Sequence, residues 1–496
     1  MINDESLQKQ DFNRTLLLKA VVFFSVLLAA VLGVLFLKLI LNSAVPNESV
    51  FAALLPAAVE SALVLAAFLV YLVYTRSALV SSQKDLYAIG IAVVLSYSAQ
   101  VFFSLLGFFV TPMALAAFII VPIAKRRDAF VSNIFCNLLS ISALLTEFAY
   151  ASVAGTASHA VLDILIVFTL GIAGGSVAAY TLSNKTGRFG YVIKGLIIGA
   201  ATYALIVLYY VFQGIYGSFS DMNYWDVFFT RVLPFAAIGA FSPVLIGTLL
   251  QPVLERTFNL ITDAWLVDLT DHNSPLIKRL RTEAAGTFSH SLSVASFAEI
   301  CASAIGENPY LARTAAYYHD VGKLDNPEYY MENQTQVNLH DELLPEVSVE
   351  IIRAHTTDGL NLCEKYRIPQ EVARVTVEHH GTLLIPAFYE KAKRLTDSPV
   401  DADHYSYHGV TPTTKIAAII MICDASDAAI RAIDAPDAEK VEKLLSDIIE
   451  ARILAGQFSN CDISLKDLEI IKKTIFSAYG GLYHKRMKYP GWSGPK

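Results

Sequence analysis

Closely spaced cysteines are missing from this 496-residue sequence. Its five cysteines show no paired spacing, so neither a disulfide framework nor a zinc ribbon is supported, and a reduced compartment suits the C-terminal half. No long basic run is present and the formal net charge is −7, so we expect no DNA or RNA partner. The C-terminal half lacks the alternating apolar pattern of half-buried strands, and the chain is therefore predicted to be all-α.

Apolar residues make up 54% of the chain, and the mean hydropathy is +0.47, well above that of a soluble protein. The excess lies before about residue 255, so we predict a segment at 1–19 that precedes the membrane and a transmembrane domain at 20–253 with about eight helices. The predicted spans are 20–41, 50–74, 86–106, 108–124, 129–153, 160–183, 192–213 and 232–253. The fourth span is short and lies between Pro112 and Pro122.

Basic residues lie in alternate connections between the predicted spans. They occur at 76–84, 125–127 and 185–194, whereas the intervening connections carry almost none. Because connections rich in Lys and Arg stay in the cytoplasm, both termini are predicted to be cytoplasmic, in a multi-pass protein of the inner or plasma membrane.

Three acidic residues, Glu60, Glu147 and Asp163, fall inside predicted spans. An ionisable group in hydrocarbon is costly and marks a candidate functional site. The simpler explanation is an interhelical hydrogen bond, or a span boundary placed a few residues off.

After the membrane domain we predict a coupling segment at 254–288, for which a plain spacer is the alternative. It leads into a cytoplasmic, all-helical domain at 289–485, and a flexible tail follows at 486–496. Gly306 is predicted to end one helix of this domain, and Asn308-Pro309 to begin the next, as an N-cap followed by proline at the first helical position.

The helix predicted after Pro309 carries an adjacent His319-Asp320 pair within the apolar segment 315–323. Burying an imidazole beside a carboxylate is costly without a partner, and a divalent metal is a natural one. Taken alone, the pair is explained as well by a salt bridge or a helix cap. Five more potential ligands lie at helix-separated intervals before and after the pair, and together the seven predict a site for two metal ions. The five are His290, His355, His379, His380 and Asp424.

Such a site has open positions for water and for an anionic substrate, which favours hydrolysis of a phosphoester. An imidazole-rich ligand set suits Fe, Mn, Ni or Zn better than Mg or Ca. Lys323, one helical turn after His319, is a candidate to neutralise a phosphate or to protonate the leaving oxygen. A solvated surface lysine is the alternative.

These residues resemble the HD-domain metal-dependent phosphohydrolases. The flanking sequences around Phe288-Ser-His-Ser-Leu, Tyr317-Tyr-His-Asp, Glu332-Asn-Gln, His340-Asp and His379-His-Gly-Thr are similar to those of the seven-transmembrane HD family (PgpH-type). The resemblance covers about residues 230–435. It implies a membrane-bound signalling phosphodiesterase that hydrolyses cyclic di-AMP to the linear dinucleotide pApA.

By that resemblance, His319, Asp320 and Lys323 are catalytic, and the two divalent ions are manganese or iron. His290, His319, Asp320 and Asp424 would hold one ion. His355, His379 and His380 would hold the second, with Asp320 bridging. We also predict substrate contacts at Lys323, Asn333, Gln334 and Tyr389.

Three departures from the family pattern stand out. No extracellular domain follows the first span, since residues 42–49 join the first two spans directly; Ser406–Val410 replaces an Arg-Tyr-Pro-Gly-Pro stretch; and Ala425 follows Asp424 where serine is usual. Three other functions remain open: a cyclic di-GMP hydrolase, a general nucleotide phosphohydrolase, and a membrane receptor that binds a nucleotide without cleaving it. The oligomeric state is also open, a homodimer included.

Overall fold

The computed structural model describes residues 2–41, 47–75, 83–124, 126–153, 157–182, 187–217, 222–334, 338–433 and 437–482. The chain divides into two compact units, Met1–Trp265 and Leu266–Lys496. In the described residues the secondary structure is helical, apart from one isolated bridge between Leu384 and Ser406. The predicted all-α class, with a polytopic helical part followed by an all-helical domain, is confirmed.

The first unit is built from long apolar helices. Their bounds are α1 Ile2–Leu41, α2 Asn47–Tyr74, α3 Gln83–Ser104, α4 Leu115–Ile120, α5 Arg126–Val153, α6 Ala157–Thr181, α7 Arg188–Gly217, α8 Met222–Val227 and α9 Leu233–Phe258. A five-residue π-helix, Phe228–Val232, joins α8 to α9 without a break. At 1.5 Å per residue, the longer helices exceed the ~30 Å of a bilayer core.

Six helical stretches are long and apolar enough to cross a membrane, among the described residues. Five lie in the first unit, and we describe the chain as a membrane protein on this basis. They are Val21–Ile40, Leu55–Tyr74, Lys84–Ser104, Arg188–Ile215 and Tyr224–Phe258. The sixth, Ala285–Ile305, lies in the second unit and carries His290 among the ligand candidates described below. We therefore assign it to the core of that unit.

The fourth predicted span is wrong as a continuous helix. Residues 105–124 form a 3₁₀ turn at Phe108–Val110 and then α4, which has six residues. A helix of that length is about 9 Å long and cannot cross a bilayer. Proline at position 112 lacks a backbone N–H and disfavours helix at the residue before it, which accounts for the break.

The broken segment nevertheless passes from one end of the unit to the other. Its start lies beside the end of α1, because Lys38 donates a 3.0 Å hydrogen bond to Ser104. Its far side lies beside the end of α2, because Tyr71 donates a 2.9 Å hydrogen bond to Asp128. Eight membrane passes stay a prediction from the sequence, and the segment predicted as the fourth pass is only partly helical.

Two buried amide side chains form hydrogen bonds with the backbone of this irregular segment. Oδ1 of Asn133 accepts a hydrogen bond from the N–H of Ala117, and Gln100 donates to the carbonyl of Met113. Asn133 and Gln100 are each 1% exposed. Irregular backbone at membrane depth requires such internal partners, since lipid offers none.

Basic residues gather at one end of the first unit. Arg188 pairs with Glu255 at 2.7 Å, Arg126 lies 4.6 Å from the ring centre of Tyr180, and Lys194 donates to the carbonyl of Thr181. These contacts join the starts of α5 and α7 to the ends of α6 and α9. Glu60 is half-buried in α2. Glu147 and Asp163 lie in α5 and α6, and their side chains fall outside the described ones.

The second unit is a cluster of shorter helices. It contains α11 Pro275–Glu283, α12 Ala285–Ile305, α13 Pro309–Tyr318, α14 Pro345–Lys365, α15 Gln370–Ala373, α16 Val375–Glu378, α17 Pro386–Leu395, α18 Lys415–Arg431, α19 Ala438–Leu454 and α20 Leu465–Leu482. The boundary between the units falls within α10, Asp263–Leu269. As predicted, Gly306 ends α12 at φ 82°, and Oδ1 of Asn308 accepts from the N–H groups of Tyr310 and Leu311 at the start of α13.

The predicted coupling segment, 254–288, is mostly helical. It holds the end of α9, a left-handed residue at Asn259 with φ 49°, helices α10 and α11, and the first turn of α12. In the second unit, Thr314 and Tyr318 donate to the carbonyls of Leu266 and Leu269. The middle of the coupling segment, in α10, is thus hydrogen-bonded to the helix that precedes His319. The predicted tail at 486–496 lies outside the described residues.

Candidate metal centre

His319 and Asp320 stand at the end of a helix. Helix α13 ends at Tyr318, His319 is its C-cap, and the chain turns into a 3₁₀ helix, Val321–Asp325. The prediction that the pair lies within a helix is therefore wrong by one or two residues, because the helix ends directly before His319. Both residues are buried, at 0% and 2% exposure.

Glycine at position 322 permits this turn to approach α14. A Cβ atom at Gly322 would lie 1.9 Å from the backbone oxygen of His355 and 2.5 Å from the nitrogen of Gly359. Because those neighbours are backbone atoms, no side-chain rotation relieves the clash. The glycine brings Asp320 within reach of the helix that carries His355.

The remaining ligand candidates come from four other elements. His290 lies in the second turn of α12, and His355 in the middle of α14. His379 and His380 follow the single turn of α16, and Asp424 lies in α18. The packing of helices thus brings together ligand candidates that lie up to 134 residues apart in the sequence.

Asp320 lies between two groups of imidazoles. Its Oδ1 atom is 3.5 Å from Nε2 of His355 and 3.6 Å from Nε2 of His379. Its Oδ2 atom is 3.3 Å from Nε2 of His319 and 3.9 Å from Nε2 of His290. One carboxylate therefore faces both groups, as a bridging ligand does.

Asp424 faces the other side of the His290 group. Its Oδ1 atom lies 2.9 Å from Nε2 of His290 and 4.0 Å from Nε2 of His319, and its Oδ2 atom lies 3.9 Å from Nδ1 of His380. The structure thus brings all seven candidates together in two groups, within each of which every ligand atom lies within 4.8 Å of the others. One group is Asp320, His355, His379 and His380, and the other is His290, His319 and Asp424.

Four of the five imidazoles are oriented through Nδ1. The Nδ1 atoms of His319, His355 and His379 lie at the backbone carbonyls of Ala316, Ile352 and Val375, and that of His290 lies 3.0 Å from a carboxylate oxygen of Asp427. A ring that donates its Nδ1 proton presents the lone pair of Nε2 inward, which is the tautomer that a metal ligand needs.

At His355, His380 and Asp320, the environment also favours the charge states of metal ligands. Burial lowers the pKa of His355 to about 3, and it holds the pKa of His380 well below its usual range. Burial alone would raise the pKa of Asp320, but the neighbouring His319 and Lys323 outweigh it and hold that pKa well below its ordinary value. Neutral imidazoles and an ionised bridging carboxylate are what a divalent ion binds.

Two buried ligand atoms have no hydrogen-bond partner in the described part of the chain: Nε2 of His319 and Oδ1 of Asp320. Leaving buried polar atoms unpaired is costly. A divalent cation in each of the two groups would satisfy both atoms. The ligand set, five imidazoles and two carboxylates, therefore fits two divalent metal ions.

Lys323 is bound inside the site rather than solvated on the surface. Its Nζ atom lies 2.7 Å from Oδ2 of Asp320 and 2.8 Å from Oε1 of Glu332, and its side chain is 13% exposed. It also lies 5.0 Å from the ring centre of Tyr330. Burial opposes its charge, but Asp320 and Glu332 outweigh that effect and raise the pKa of Lys323.

Two of the predicted substrate contacts, Asn333 and Gln334, form hydrogen bonds with other residues of the protein. The amide of Asn333 donates to Oγ1 of Thr287 and to the carbonyl of Pro327, while its oxygen accepts from the N–H of Thr287. Gln334 donates to the carbonyl of Glu328. The structure thus gives Asn333 a bracing contact with the first turn of α12.

Tyr389 belongs to a small apolar cluster around Val349, Ile385 and Tyr405. Its ring is 6.0 Å from that of Tyr405, and Lys393 lies 5.1 Å from its centre. Tyr389 is half-buried and packs against this cluster.

Residues Ser406–Val410, which depart from the family pattern, reach the metal centre through Tyr407. Their backbone pairs with the loop after His380, through bonds from Tyr407 to the carbonyl of Leu383 and from Gly409 to that of Gly381. The ring of Tyr407 stacks on that of His380, with centres 4.3 Å apart and planes 20° apart. Tyr407 was not predicted as a site residue, and only the tertiary structure reveals its position.

Asp427 is the other site residue that the sequence analysis missed. It is 2% exposed and faces Nδ1 of His290. A signal was available, since Asp427 follows Asp424 by three residues, and residues three apart share one face of a helix.

With this geometry described, the second unit can be classified. The family model for the HD domain matches residues 287–429, which include helices α13 to α17, most of α12 and α18, and all seven ligand candidates. Residues 287–429 of this chain are therefore an HD domain.

The chain is also similar to particular proteins of this class. It is 34% identical over 383 residues to the cyclic-di-AMP phosphodiesterase PgpH of Listeria monocytogenes, an alignment that covers 77% of this chain and 50% of that protein. It is 39% identical over 252 residues to PgpH of Bacillus subtilis, covering 51% of this chain and 35% of that protein. The chain therefore spans half or less of the length of these relatives.

A solved structure also matches the second unit. It is the crystal structure of the PgpH HD domain of Listeria monocytogenes in complex with cyclic-di-AMP, with 42% sequence identity. The match covers 43% of this chain and 100% of that chain, with a TM-score of 0.42.

Proposed function

We propose that this chain is a membrane-bound phosphodiesterase that uses two divalent metal ions to hydrolyse a cyclic dinucleotide, cyclic di-AMP, to linear pApA. The observation that carries the proposal is the position of Asp320, whose two carboxylate oxygens face two separate groups of imidazoles. The identity of 34% and 39% with two cyclic-di-AMP phosphodiesterases supports the choice of substrate.

One ion would be held by His290, His319, Asp320 and Asp424. The second would be held by His355, His379 and His380, with Asp320 bridging. Two divalent ions in such a site activate a water molecule and neutralise the charge of a phosphodiester. The five imidazole ligands favour manganese or iron over magnesium or calcium.

The residues around the ions prepare the site. Backbone carbonyls fix the tautomers of His319, His355 and His379, so that their Nε2 atoms accept metal without rearrangement. Lys323 places a cation against the bridging carboxylate, on the side where an anionic substrate would approach. We propose that it keeps Asp320 ionised and attracts the phosphodiester.

We further propose that the HD domain and both termini are cytoplasmic. Eight passes return the chain to the side on which it began. The end of the membrane unit from which the HD domain follows carries Arg126, Arg127, Arg188 and Lys194, which is the pattern of a cytoplasmic face. A reporter that folds on only one side of the membrane, fused to either terminus, tests this orientation. The oligomeric state is open, and light scattering of the purified chain tests whether it forms a homodimer.

The activity is tested on the full chain purified in detergent and loaded with Mn²⁺. Cyclic di-AMP and cyclic di-GMP are supplied separately, and products are followed by chromatography. We expect conversion of cyclic di-AMP to pApA and much slower conversion of cyclic di-GMP. The double variant His319→Ala, Asp320→Ala should lose turnover and keep its helical circular dichroism.

His404→Ala is the matched control, because His404 is an exposed histidine outside the ligand set. It should retain full turnover. Activity that survives in the double variant would remove these residues from the mechanism. Equal turnover of both dinucleotides would contradict the substrate. Two bound metal ions with no turnover of either dinucleotide would favour a nucleotide receptor.

A further inference from the structure

The last described helix of the chain reaches the metal centre from outside the HD family match. That match ends at residue 429, whereas α20 begins at Leu465. From this helix, the hydroxyl of Tyr479 donates a 2.9 Å hydrogen bond to Oδ1 of Asp427. Tyr479 is 6% exposed, so the bond is sheltered from water.

Asp427 also contacts the ligand candidate His290. Its Oδ2 atom lies 3.0 Å from Nδ1 of His290 and accepts a 2.9 Å hydrogen bond from Nε of Arg431. Arg431 in turn donates a 2.6 Å hydrogen bond to Ser293, one turn after His290 on α12. A single carboxylate therefore joins α12, α18 and α20.

The ring of Tyr479 is held as firmly as its hydroxyl. It stacks on Phe297 of α12, with centres 4.5 Å apart and planes 18° apart. The sulfhydryl of Cys301 on α12 also contacts the carbonyl of Ile471 on α20, at 3.9 Å. These contacts fix α20 against the helix that carries His290, so the hydroxyl is aimed at Asp427 before any ligand binds.

We infer that Tyr479 is a positioning residue of the metal centre, which acts through Asp427 to hold the imidazole of His290 in its ligating tautomer and orientation. Because Tyr479 bonds to its Oδ1 atom and Arg431 to its Oδ2 atom, the carboxylate of Asp427 is held facing Nδ1 of His290. Outer-shell carboxylates of this kind orient metal-bound histidines, and their loss weakens metal binding. The functional HD domain of this chain therefore extends to α20. The inference rests on the proposed metal centre.

The test uses metal binding by the full chain in detergent, with Mn²⁺ as the probe and with stoichiometry and affinity as readouts. Tyr479→Phe keeps the ring on Phe297 and removes only the hydroxyl. We expect the affinity for the ion at His290 to fall about 10-fold or more, within the range of such outer-shell effects, while the second ion stays bound. Thr474→Val is the matched control, because it also removes one hydroxyl from α20, whose hydrogen bond runs to Ile470 of the same helix. It should bind both ions as the original chain does.

A double-variant cycle separates positioning from general support of the fold. If Tyr479 acts through Asp427, Tyr479→Phe should weaken binding in the original chain but add no further loss to Asp427→Asn. Additive losses, or a Tyr479→Phe variant that binds like Thr474→Val, would overturn the inference while leaving the proposed metal centre intact. An original chain that binds no Mn²⁺ would overturn the metal centre itself, and the inference with it.

Discussion

The Nζ atom of Lys323 lies 2.7 Å from Oδ2 of Asp320, and this ion pair is buried beside the imidazoles of the metal centre. Removing the cation leaves a carboxylate at 2% exposure without its nearest opposite charge. Breaking a buried pair in this way typically costs about 3–5 kcal/mol.

We therefore expect Lys323→Met to lower the stability of the second unit by roughly 3 kcal/mol in the presence of a chelator. Added Mn²⁺ should restore most of it, because the ion would replace the missing cation. Thermal unfolding with and without Mn²⁺ measures both effects. Lys393→Met is a close control, since Lys393 also pairs with an acid three residues away and lies over a tyrosine ring, but at the surface. A Lys323 variant with unchanged stability would show that the pair is not needed.

The two carboxylates of the centre should differ in the number of ions they control. Asp320 faces both imidazole groups, whereas Asp424 lies in only one of them. Asp320→Ala is expected to lose both ions, and Asp424→Ala only the ion at His290. Metal analysis after gel filtration gives the stoichiometry. If both variants lost the same single ion, Asp320 would not bridge.

Gly322→Ala should separate Asp320 from the second imidazole group. The added Cβ would meet backbone atoms of α14 at 1.9 Å, so the 3₁₀ helix that follows Asp320 must move away from His355. Overpacking of this kind costs about 1–3 kcal/mol, and more when only backbone surrounds the site. We expect weaker binding of the second ion, measured by Mn²⁺ titration, together with a lower unfolding temperature.

Gly306→Ala is the control for this variant. Gly306 has φ 82° but nothing within 4 Å of its Cβ position, so it tests backbone strain alone. It should cost about 1 kcal/mol and leave both ions bound. Equal metal loss in the two variants would show that the close approach at Gly322 is irrelevant to the centre.

Asn333 offers a choice between two roles. Its side chain donates hydrogen bonds to Thr287 and to the carbonyl of Pro327, which indicates that it stabilises the packing of the chain around Asn333 against α12. Asn333→Ala should lower stability by about 1 kcal/mol, the usual value of a hydrogen bond, and leave KM for cyclic di-AMP unchanged. A large rise in KM at unchanged stability would return Asn333 to the substrate contacts, where the sequence analysis placed it.

Helix ends and ligand types were predictable because their causes are local. Asn308 caps α13 through its own side chain, and Gly306 ends α12 through a left-handed backbone, so neighbouring residues suffice to predict both. The long apolar runs of the first unit likewise predict helices, and Pro56, Pro243 and Pro252 lie inside continuous helices there. Near Pro112 the helix is interrupted, and a hydropathy pattern cannot distinguish an interrupted segment from a continuous one.

The amino-acid order alone was enough to indicate which residues could bind metal, since histidine and aspartate in an apolar setting require a partner. It could not say that Asp320 stands between the two imidazole groups, that Lys323 is committed to Asp320, or that Tyr407 stacks on His380. Nor did it point to Tyr479, which meets Asp427 from 52 residues further along the chain. These relationships depend on how separate helices pack, and packing is decided by the fit of many distant side chains at once rather than by any local sequence.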